Sequence, residues 1–257
     1  MLNAAWRNFM GEIACWREAG RPVDFWWRDD DACRPEPALA RLITLADTMA
    51  VPLALAVIPS EAQSAAFVGR TTQVSLLQHG VDHRNRAAGG DKKSEFPAAE
   101  PVPLALARLL TGRAQLEALE GVRSLPVLVP PWNRISAPRL VPQLAAAGYC
   151  GLSTFGPRRA PFAVPGLALV NTHVDIIDWR GTRGFAGEEA VLAQATRHLL
   201  ERRQGRVDAN EPTGWLTHHA VHDDAAWGFM ERLLERTAHV AGVSWRSAAH
   251  LFGSGAA

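Results

Sequence analysis

The sequence predicts an α/β fold in which about seven βα units surround a parallel sheet or barrel. Apolar or β-prone runs alternate with segments of helical periodicity along the 257 residues. Three clusters of aspartate and histidine each follow directly after such a run. Because the active sites of these folds gather at the carboxyl ends of the strands, we expect the three clusters to share one face.

Each element is predicted from the spacing of its apolar residues and from the proline or glycine residues that flank it. Strands are predicted for residues 23–28, 53–58, 73–78, 125–129, 150–153, 167–172 and 213–217. Helices are predicted for residues 2–19, 35–46, 60–68, 104–119, 138–147, 188–203 and 224–240, before a terminal strand and helix. Residues 84–103 combine Gly, Ala, Pro and charge, which predicts a long loop of the kind that often forms a lid or binding loop.

Composition and charge limit the class of protein. The chain shows no internal repeat or linker, so we expect a single domain over residues 1–257, with helix 1–20 packing outside it. A net charge of +1 with scattered Lys and Arg argues against nucleic acid as a partner. No signal-peptide pattern occurs, and no run approaches the roughly 20 apolar residues of a membrane span. We therefore expect a cytoplasmic protein, whose oligomeric state the sequence does not indicate.

The strand predicted for residues 73–78 leads to the pair His79 and His83. A four-residue spacing places both imidazoles on one face of a helix or across a tight turn. Divalent metals favour such a pair together with a carboxylate. Gly80 stands where the zincin motif has Glu, so the site is of another kind. An isolated pair is often a coincidence of the surface, but its position after an apolar strand favours a metal.

Three consecutive aspartates, Asp29, Asp30 and Asp31, follow the strand predicted for residues 23–28. A solvated turn with a helix N-cap would explain one of them but hardly three in a row. Adjacent carboxylates repel each other, and a bound cation would supply the counter-charge and lower their pKa. One carboxylate would then ligate the metal while its neighbour accepts a proton from the attacking water.

Histidines also follow the strand predicted for residues 213–217, and His218 comes first. A histidine at a strand end can protonate a leaving group when a carboxylate holds and tunes it. Either Asp175 or Asp178 could be that carboxylate. The alternative is an ordinary helix start in which Asp223 complements the helix dipole, and both interpretations can hold together.

Several tryptophans lie beside these motifs. Aromatic side chains next to polar groups suit a sugar ring, although core packing explains any single one equally well. The residues that we expect to contact substrate are Trp132, Trp179 and Trp215.

The order of these motifs resembles the polysaccharide deacetylase family, the NodB-homology group of carbohydrate esterases. That family shows an Asp-Asp strand end, a His-x-x-x-His segment, an Arg-x-Pro-Tyr-like loop, an Asp-x-x-Asp-Trp segment and a Leu-x-His strand end. The matching stretches here are Arg28–Asp31, His79–His83, Val129–Trp132, Asp175–Trp179 and Leu216–His218. No single stretch is specific, but five in this order across residues 23–222 are hard to obtain by chance.

The resemblance implies a distorted (β/α) barrel of about seven units and a metal-dependent removal of acetyl groups from sugars. Its metal ligands fall on Asp31, His79 and His83, with Zn the first expectation and Co, Ni or Mn as alternatives. Its general base falls on Asp30. A shift of one residue would instead make Asp29 the base and Asp30 the ligand.

The chain departs from the family where Val129 replaces the loop arginine that orients the base. Arg28 and Arg134 are the candidates to take over its role. In the implied mechanism the N–H of Trp132 helps to hold the oxyanion, and His218, oriented by Asp178, protonates the departing amine.

The expected function is therefore a metal-dependent hydrolase that removes an acetyl group from an N-acetylated sugar or a related amide. The bond that it breaks is a C–N bond outside peptides, and its partner is a carbohydrate or another acylated amine. Two alternatives stay open. One is a non-sugar amidase that uses the same site. The other is a catalytically inactive barrel that binds a carbohydrate or a partner.

Overall fold

The computed structural model describes residues 3–67, 73–119 and 124–253, and in this part of the chain ten strands form one sheet. The strands are β1 (Val23–Ala32), β2 (Leu53–Val57), β3 (Val74–His79), β4 (Ser124–Val129), β5 (Gly151–Leu152), β6 (Phe162–Val164), β7 (Leu167–Leu169), β8 (Val174–Asp175), β9 (Thr213–Thr217) and β10 (Val243–Trp245). All their pairings are parallel except that of β6 with β7. The predicted α/β class with a central parallel sheet is confirmed.

The helices that the structure describes are α1 (Ala4–Glu18), α2 (Pro37–Thr48), α3 (Val102–Glu117), α4 (Val141–Ala146), α5 (Glu188–Arg203), α6 (Asp224–Thr237) and α7 (Ala248–Gly253). Local sequence explains their starts, since Asn3 accepts a hydrogen bond from the N–H of Trp6 and Pro37 occupies a first turn. The helix predicted for residues 60–68 is wrong. Two 3₁₀ turns, Pro59–Glu61 and Ser64–Ala66, occupy this stretch, and residues 2 and 68 of the predicted helices lie outside the described residues.

The strands follow the order β6-β7-β5-β4-β3-β2-β1-β9-β8, with β10 beside the start of β1. The strand β1 therefore lies between β2 and β9, and the carboxyl ends of β1, β3, β4, β8 and β9 meet at one edge. This order brings together the ends of the strands that carry the predicted clusters. Closure into a barrel stays a prediction.

Helix α1 covers one face of the sheet with its apolar stripe. Its buried side chains include Phe9, which packs on Phe25 of β1 and on Trp215 of β9. The indole of Trp16 donates to the backbone carbonyl of Leu199 in α5. Burying one large apolar side chain stabilises a fold by roughly 1.5–3 kcal/mol. The contacts of α1 therefore hold the face of β1 that carries Phe25 against the helix.

Candidate active site

The end of β1 places two consecutive aspartates in the same cavity by means of an irregular strand. Successive residues of a regular strand point to opposite faces, so Asp29 should face away from Asp30. Asp31 would follow Asp29, but it has φ 71, and the pairing of β1 with β2 shifts register between Asp29 and Ala32. This bulge turns Asp31 toward the side of Asp30, and both line a cavity of about 460 Å³.

Asp29 lies on the opposite side of β1, where it is fully buried. Its carboxylate accepts hydrogen bonds from the hydroxyl of Thr217 at 2.6 Å and from the N–H of His219 at 3.0 Å, and it contacts Nδ1 of His219 at 2.5 Å. The His219 and Thr217 contacts hold the pKa of Asp29 below its usual range against the opposing effect of burial. Asp29 thus joins the ends of β1 and β9, which supports the register in which Asp30 and Asp31 form the functional pair.

Asp31, His79 and His83 converge at the edge of this cavity. Oδ1 of Asp31 lies 3.1 Å from Nε2 of His79 and 3.4 Å from Nε2 of His83. Nδ1 of His79 lies 3.0 Å from the carbonyl of Val129, so it carries the proton and leaves Nε2 free to coordinate. Oδ1 of Asp31 is buried without a hydrogen-bond partner among the described residues. One carboxylate oxygen and two imidazole nitrogens at this spacing suit a divalent metal ion.

The charges of these groups depend on one another. Burial alone would raise the pKa of Asp31, but His79, His218 and His83 hold it well below its usual range. Burial likewise opposes protonation of His79, but the charges of Asp30 and Asp31 raise its pKa. Burial and the neighbouring His79 lower the pKa of His83. The carboxylate therefore stays ionised and ready to bind a cation.

Arg28 holds Asp30 in place. Nε and Nη2 of Arg28 donate to the two carboxylate oxygens of Asp30 at 2.8 and 3.0 Å, and both residues are buried. The remaining donors of Arg28 reach Ser153 Oγ at 2.7 Å and Asn133 Oδ1 at 2.6 Å. Of the two arginines considered for the place of the family's loop arginine, Arg28 contacts Asp30. Arg134 donates to the backbone carbonyl of Lys93 instead.

The turn between His79 and His83 is supported by Glu95, a residue that the motifs did not indicate. Its carboxylate accepts from the N–H groups of Val81 at 3.0 Å and Asp82 at 3.4 Å, and the side chain is fully buried. Gly80 has φ 59, and a Cβ there would clash with Oε2 of Glu95. Glycine is therefore required at this position, and Glu95 keeps part of the long loop of residues 84–101 against the histidine turn.

His218 lies across the cavity beside Asp175 and Trp179. Its ring packs edge-on against Trp179 at 4.7 Å, and the indole N–H of Trp179 donates to Oδ2 of Asp175 at 2.9 Å. The expected pairing of His218 with Asp178 is not supported by the geometry. The carboxylate of Asp178 accepts from the backbone N–H groups of its own turn, at Arg180 and Gly181, and does not line the cavity. Asp175 takes its place beside His218.

The three tryptophans predicted as substrate contacts have different environments. Trp132 and Trp179 line the cavity, with Trp179 43% exposed and Trp132 packed 4.6 Å from the ring of His83. The prediction for Trp215 is wrong, because its side chain is fully buried against Phe9 and Phe25 on the other face of the sheet. The sequence could not reveal this, since α1 and β9 lie almost two hundred residues apart.

A second cluster of possible ligands is buried in the protein and consists of His173, His198 and Glu211. Nδ1 of His173 accepts a hydrogen bond from the N–H of Gly214 at 3.0 Å. That bond leaves the proton of the neutral ring on Nε2, which lies 3.2 Å from Oε2 of Glu211. Because a neutral imidazole cannot coordinate through a protonated nitrogen, this cluster does not fit a metal.

The fold is similar to that of solved deacetylases and esterases. A Mycobacterium smegmatis protein assigned to the polysaccharide deacetylases shares 15% identity over 91% of this chain and 90% of that chain, with a TM-score of 0.59. The peptidoglycan deacetylase PdaC from Bacillus subtilis shares 13% identity over 90% of both chains, with a TM-score of 0.53. A family 4 acetyl xylan esterase from Clostridium thermocellum, solved with a cobalt ion, shares 12% identity over 90% of this chain and 91% of that chain, with a TM-score of 0.50.

These likenesses confirm, at the level of the fold, the predicted resemblance to the polysaccharide deacetylases. No family model and no curated protein matches the sequence. Within the described residues, every helix is too short or too polar to cross a membrane.

Proposed function

We propose that this chain is a metal-dependent hydrolase that removes an acetyl group from an N-acetylated sugar or a related acylated amine. The observation that carries the proposal is the convergence of Asp31, His79 and His83 beside Asp30 in one cavity, with His218 on the opposite wall. We also propose that residues 1–257 form a single domain with a (β/α) barrel fold. The favoured ion is Zn²⁺, which suits two imidazoles and one carboxylate, and Co, Ni and Mn are alternatives.

Asp31, His79 and His83 would hold the ion, which when bound polarises a carbonyl and makes water a stronger nucleophile at neutral pH. Asp30, fixed by Arg28, accepts the proton of the attacking water as general base. The N–H of Trp132 donates to no acceptor among the described residues, so it is free to donate to the developing oxyanion. His218, beside the carboxylate of Asp175, donates a proton to the departing amine.

The cavity walls favour a ring-shaped substrate. Trp132 and Trp179 present aromatic surfaces on two sides of the cavity, and such surfaces suit the apolar faces of a sugar. The alternative of an inactive barrel was based on the loss of the loop arginine at Val129. Arg28 contacts both oxygens of Asp30, so this alternative loses its main support.

The test combines metal analysis with acetate release. We expect the metal-loaded protein to hold one divalent ion per chain and to release acetate from an N-acetylated sugar. Asp30→Asn should keep the ion but lose roughly 10²-fold or more in turnover, the scale of a lost general base. The control is Asp24→Asn, because Asp24 also lies on β1 but pairs with Arg246 far from the cavity. A protein that takes up no ion on titration, or undiminished turnover in Asp30→Asn, contradicts the proposal.

A further inference from the structure

Three cationic side chains, Lys93, Arg134 and Arg183, line the same cavity as the proposed metal ligands. Among the described residues, no carboxylate oxygen lies within 4.0 Å of their charged nitrogens. The acids of the cavity already have partners, since Asp30 pairs with Arg28 and Asp31 with two histidines. Asp175 accepts from the indole N–H of Trp179. Within residues 3–67, 73–119 and 124–253, the three cations therefore lack a paired counter-charge.

Lys93 and Arg134 form one side of the mouth of the cavity. Nη1 of Arg134 donates to the backbone carbonyl of Lys93 at 2.6 Å, and Nζ of Lys93 lies 5.9 Å from the ring of Trp132. The backbone after Lys93 is anchored, because Ser94, Glu95 and Phe96 are fully buried. These two cations are thus kept next to Trp132, which itself packs on the ligand His83.

Arg183 lies on the other wall, in the turn that follows Trp179. Its backbone has φ 57, and its N–H donates to the carbonyl of Asp178 at 2.9 Å. The side chain of Asp178 also binds the backbone N–H groups of this turn. The turn is therefore fixed by several hydrogen bonds, and it places Arg183 at the cavity opposite the Lys93 side.

The balance of charge favours an anionic ligand. Three acids, Asp30, Asp31 and Asp175, offset the three cations among the lining residues. Arg28 behind Asp30 and a divalent ion on Asp31 would add positive charge that nothing in the cavity offsets. Arginine and lysine together are suited to phosphate and carboxylate groups, and a cavity with a net positive charge attracts anionic ligands.

We propose that the acylated substrate carries an anionic group, a phosphate or a carboxylate, which Lys93 and Arg134 bind at the mouth of the cavity. Arg183 faces the same ligand from the opposite wall. The inference rests on the proposed function, because it assigns a substrate class to the same site. The ligand class is an N-acylated amino sugar that bears a phosphate or a carboxyl group close to the acylated amine.

Calorimetric binding to metal-loaded Asp30→Asn protein tests this inference without turnover. The probes are N-acetylglucosamine, N-acetylglucosamine 6-phosphate and N-acetylmuramic acid, so the neutral sugar is the reference for both anions. We expect at least one anion to bind about tenfold more tightly than the neutral sugar at low salt, the scale of one charge-assisted hydrogen bond. The anion with the larger advantage identifies the group as phosphate or carboxylate.

The metal can itself attract an anion. The same binding measurement with Lys93→Gln/Arg134→Gln added to the Asp30→Asn protein separates the contribution of these two cations from that of the metal. The advantage should fall to about twofold or less, with the affinity for the neutral sugar unchanged. Arg180→Gln is the matched control, because Arg180 belongs to the turn of Arg183 but does not line the cavity. It should keep the full advantage. Equal binding of all three probes, or an advantage that survives in Lys93→Gln/Arg134→Gln, overturns the inference.

Two results separate this inference from the proposed function. Acetate release that needs Asp30 but shows no preference for anionic sugars would leave the proposed function standing and remove the inference. Binding of an anionic sugar that needs Lys93 and Arg134, without acetate release from any N-acetyl sugar, would support the inference and contradict the proposed function.

Discussion

At the scale of single residues, the environment of Asp30 decides which chemistry the aspartate triplet can perform. The carboxylate of Asp30, buried next to the guanidinium of Arg28, keeps a fixed orientation because both of its oxygens accept hydrogen bonds. The same guanidinium reaches Ser153 and Asn133, which belong to two other loops. The position of the proposed base therefore depends on three segments that meet at Arg28.

Replacing Arg28 tests this dependence. Arg28→Gln should destabilise the metal-free protein by about 3–5 kcal/mol, since it leaves the buried carboxylate of Asp30 without a counter-charge. Arg28→Gln/Asp30→Asn should be more stable than Arg28→Gln alone, because the uncompensated charge is gone. The measurement is the free energy of unfolding in denaturant at neutral pH with a chelator present.

The matched control for Arg28 is Arg246, which pairs with Asp24 near the start of β1. Both members of that pair are partly exposed, so Arg246→Gln should change the free energy of unfolding by about 1 kcal/mol or less. A double variant at Arg28 and Asp30 that is no more stable than Arg28→Gln would show that the charge pair is not what stabilises this region.

The sequence predicted which residues line the site better than it predicted which side chains contact each other there. The His-x-x-x-His spacing and the strand ends were enough to predict His79 and His83, and the structure brings both next to Asp31. The geometry favours Asp175 over Asp178 as the neighbour of His218, and the sequence could not choose between them because both lie in the same short segment. Only the three-dimensional turn shows that Asp178 binds its own backbone.

At the scale of elements, the bulge at the end of β1 and the turn after β3 bring together the candidate metal ligands Asp31, His79 and His83. Strict alternation would place Asp29 and Asp31 on one face and Asp30 on the other. The positive φ of Asp31 instead turns its side chain to the same side as Asp30. Periodicity cannot predict this bulge, because it lies at the end of β1 and too few residues follow it to show a shift in the alternation. The choice between the two registers therefore came from the family resemblance.

We predict that Glu95 strengthens metal binding by supporting the turn that carries His79 and His83. Glu95→Gln weakens the acceptor of the N–H groups of Val81 and Asp82, so the two histidines lose part of their fixed spacing. Loss of such supporting contacts typically reduces metal affinity by about 10–100-fold. We expect a reduction of this size in a titration against a competing chelator, with the fold retained in circular dichroism.

The control for Glu95 is Glu100→Gln, because Glu100 shares the partner Arg108 but does not contact the histidine turn. It should bind metal like the unmodified protein. Equal affinities for all three proteins would show that the turn keeps its geometry without the carboxylate of Glu95.

At the scale of the whole molecule, long periodic elements were predictable and short irregular ones were not. The helices α3 and α5 and the strands β2 and β9 lie within a few residues of their predicted ranges. The short strands β5 and β7 lie inside the predicted ranges 150–153 and 167–172. The strands β6 and β8 were not predicted, because three and two residues are too few for a period to show. Tertiary packing also decides burial, which is why Trp215 lies in the core and why Ser94, Glu95 and Phe96 anchor a loop that composition suggests is open.

The buried cluster of His173, His198 and Glu211 predicts how stability depends on pH. Burial lowers the pKa of His173 to about 3 and that of His198 to about 2, and it raises the pKa of Glu211 to about 7. The two histidines bind protons mainly in the unfolded protein. Their contribution to the free energy of unfolding is therefore present above pH 6.5 and is lost as the pH falls below 6.5. The contribution of Glu211 has the opposite sign, being complete below pH 4.5 and lost as the pH rises through 7.

Between pH 4.5 and 6.5, unfolding therefore adds a proton to each of the two histidines and removes one proton from Glu211. The cluster should lower the free energy of unfolding by about 1.4 kcal/mol for each unit of pH decrease. His198→Gln removes one of the two histidines, and the slope of the unfolding free energy against pH should decrease by about the same amount. His239→Gln removes an exposed imidazole and controls for the loss of a histidine as such. Equal slopes for His198→Gln and the unmodified protein would mean that His198 binds its proton in the folded state, and that the cluster is open to water.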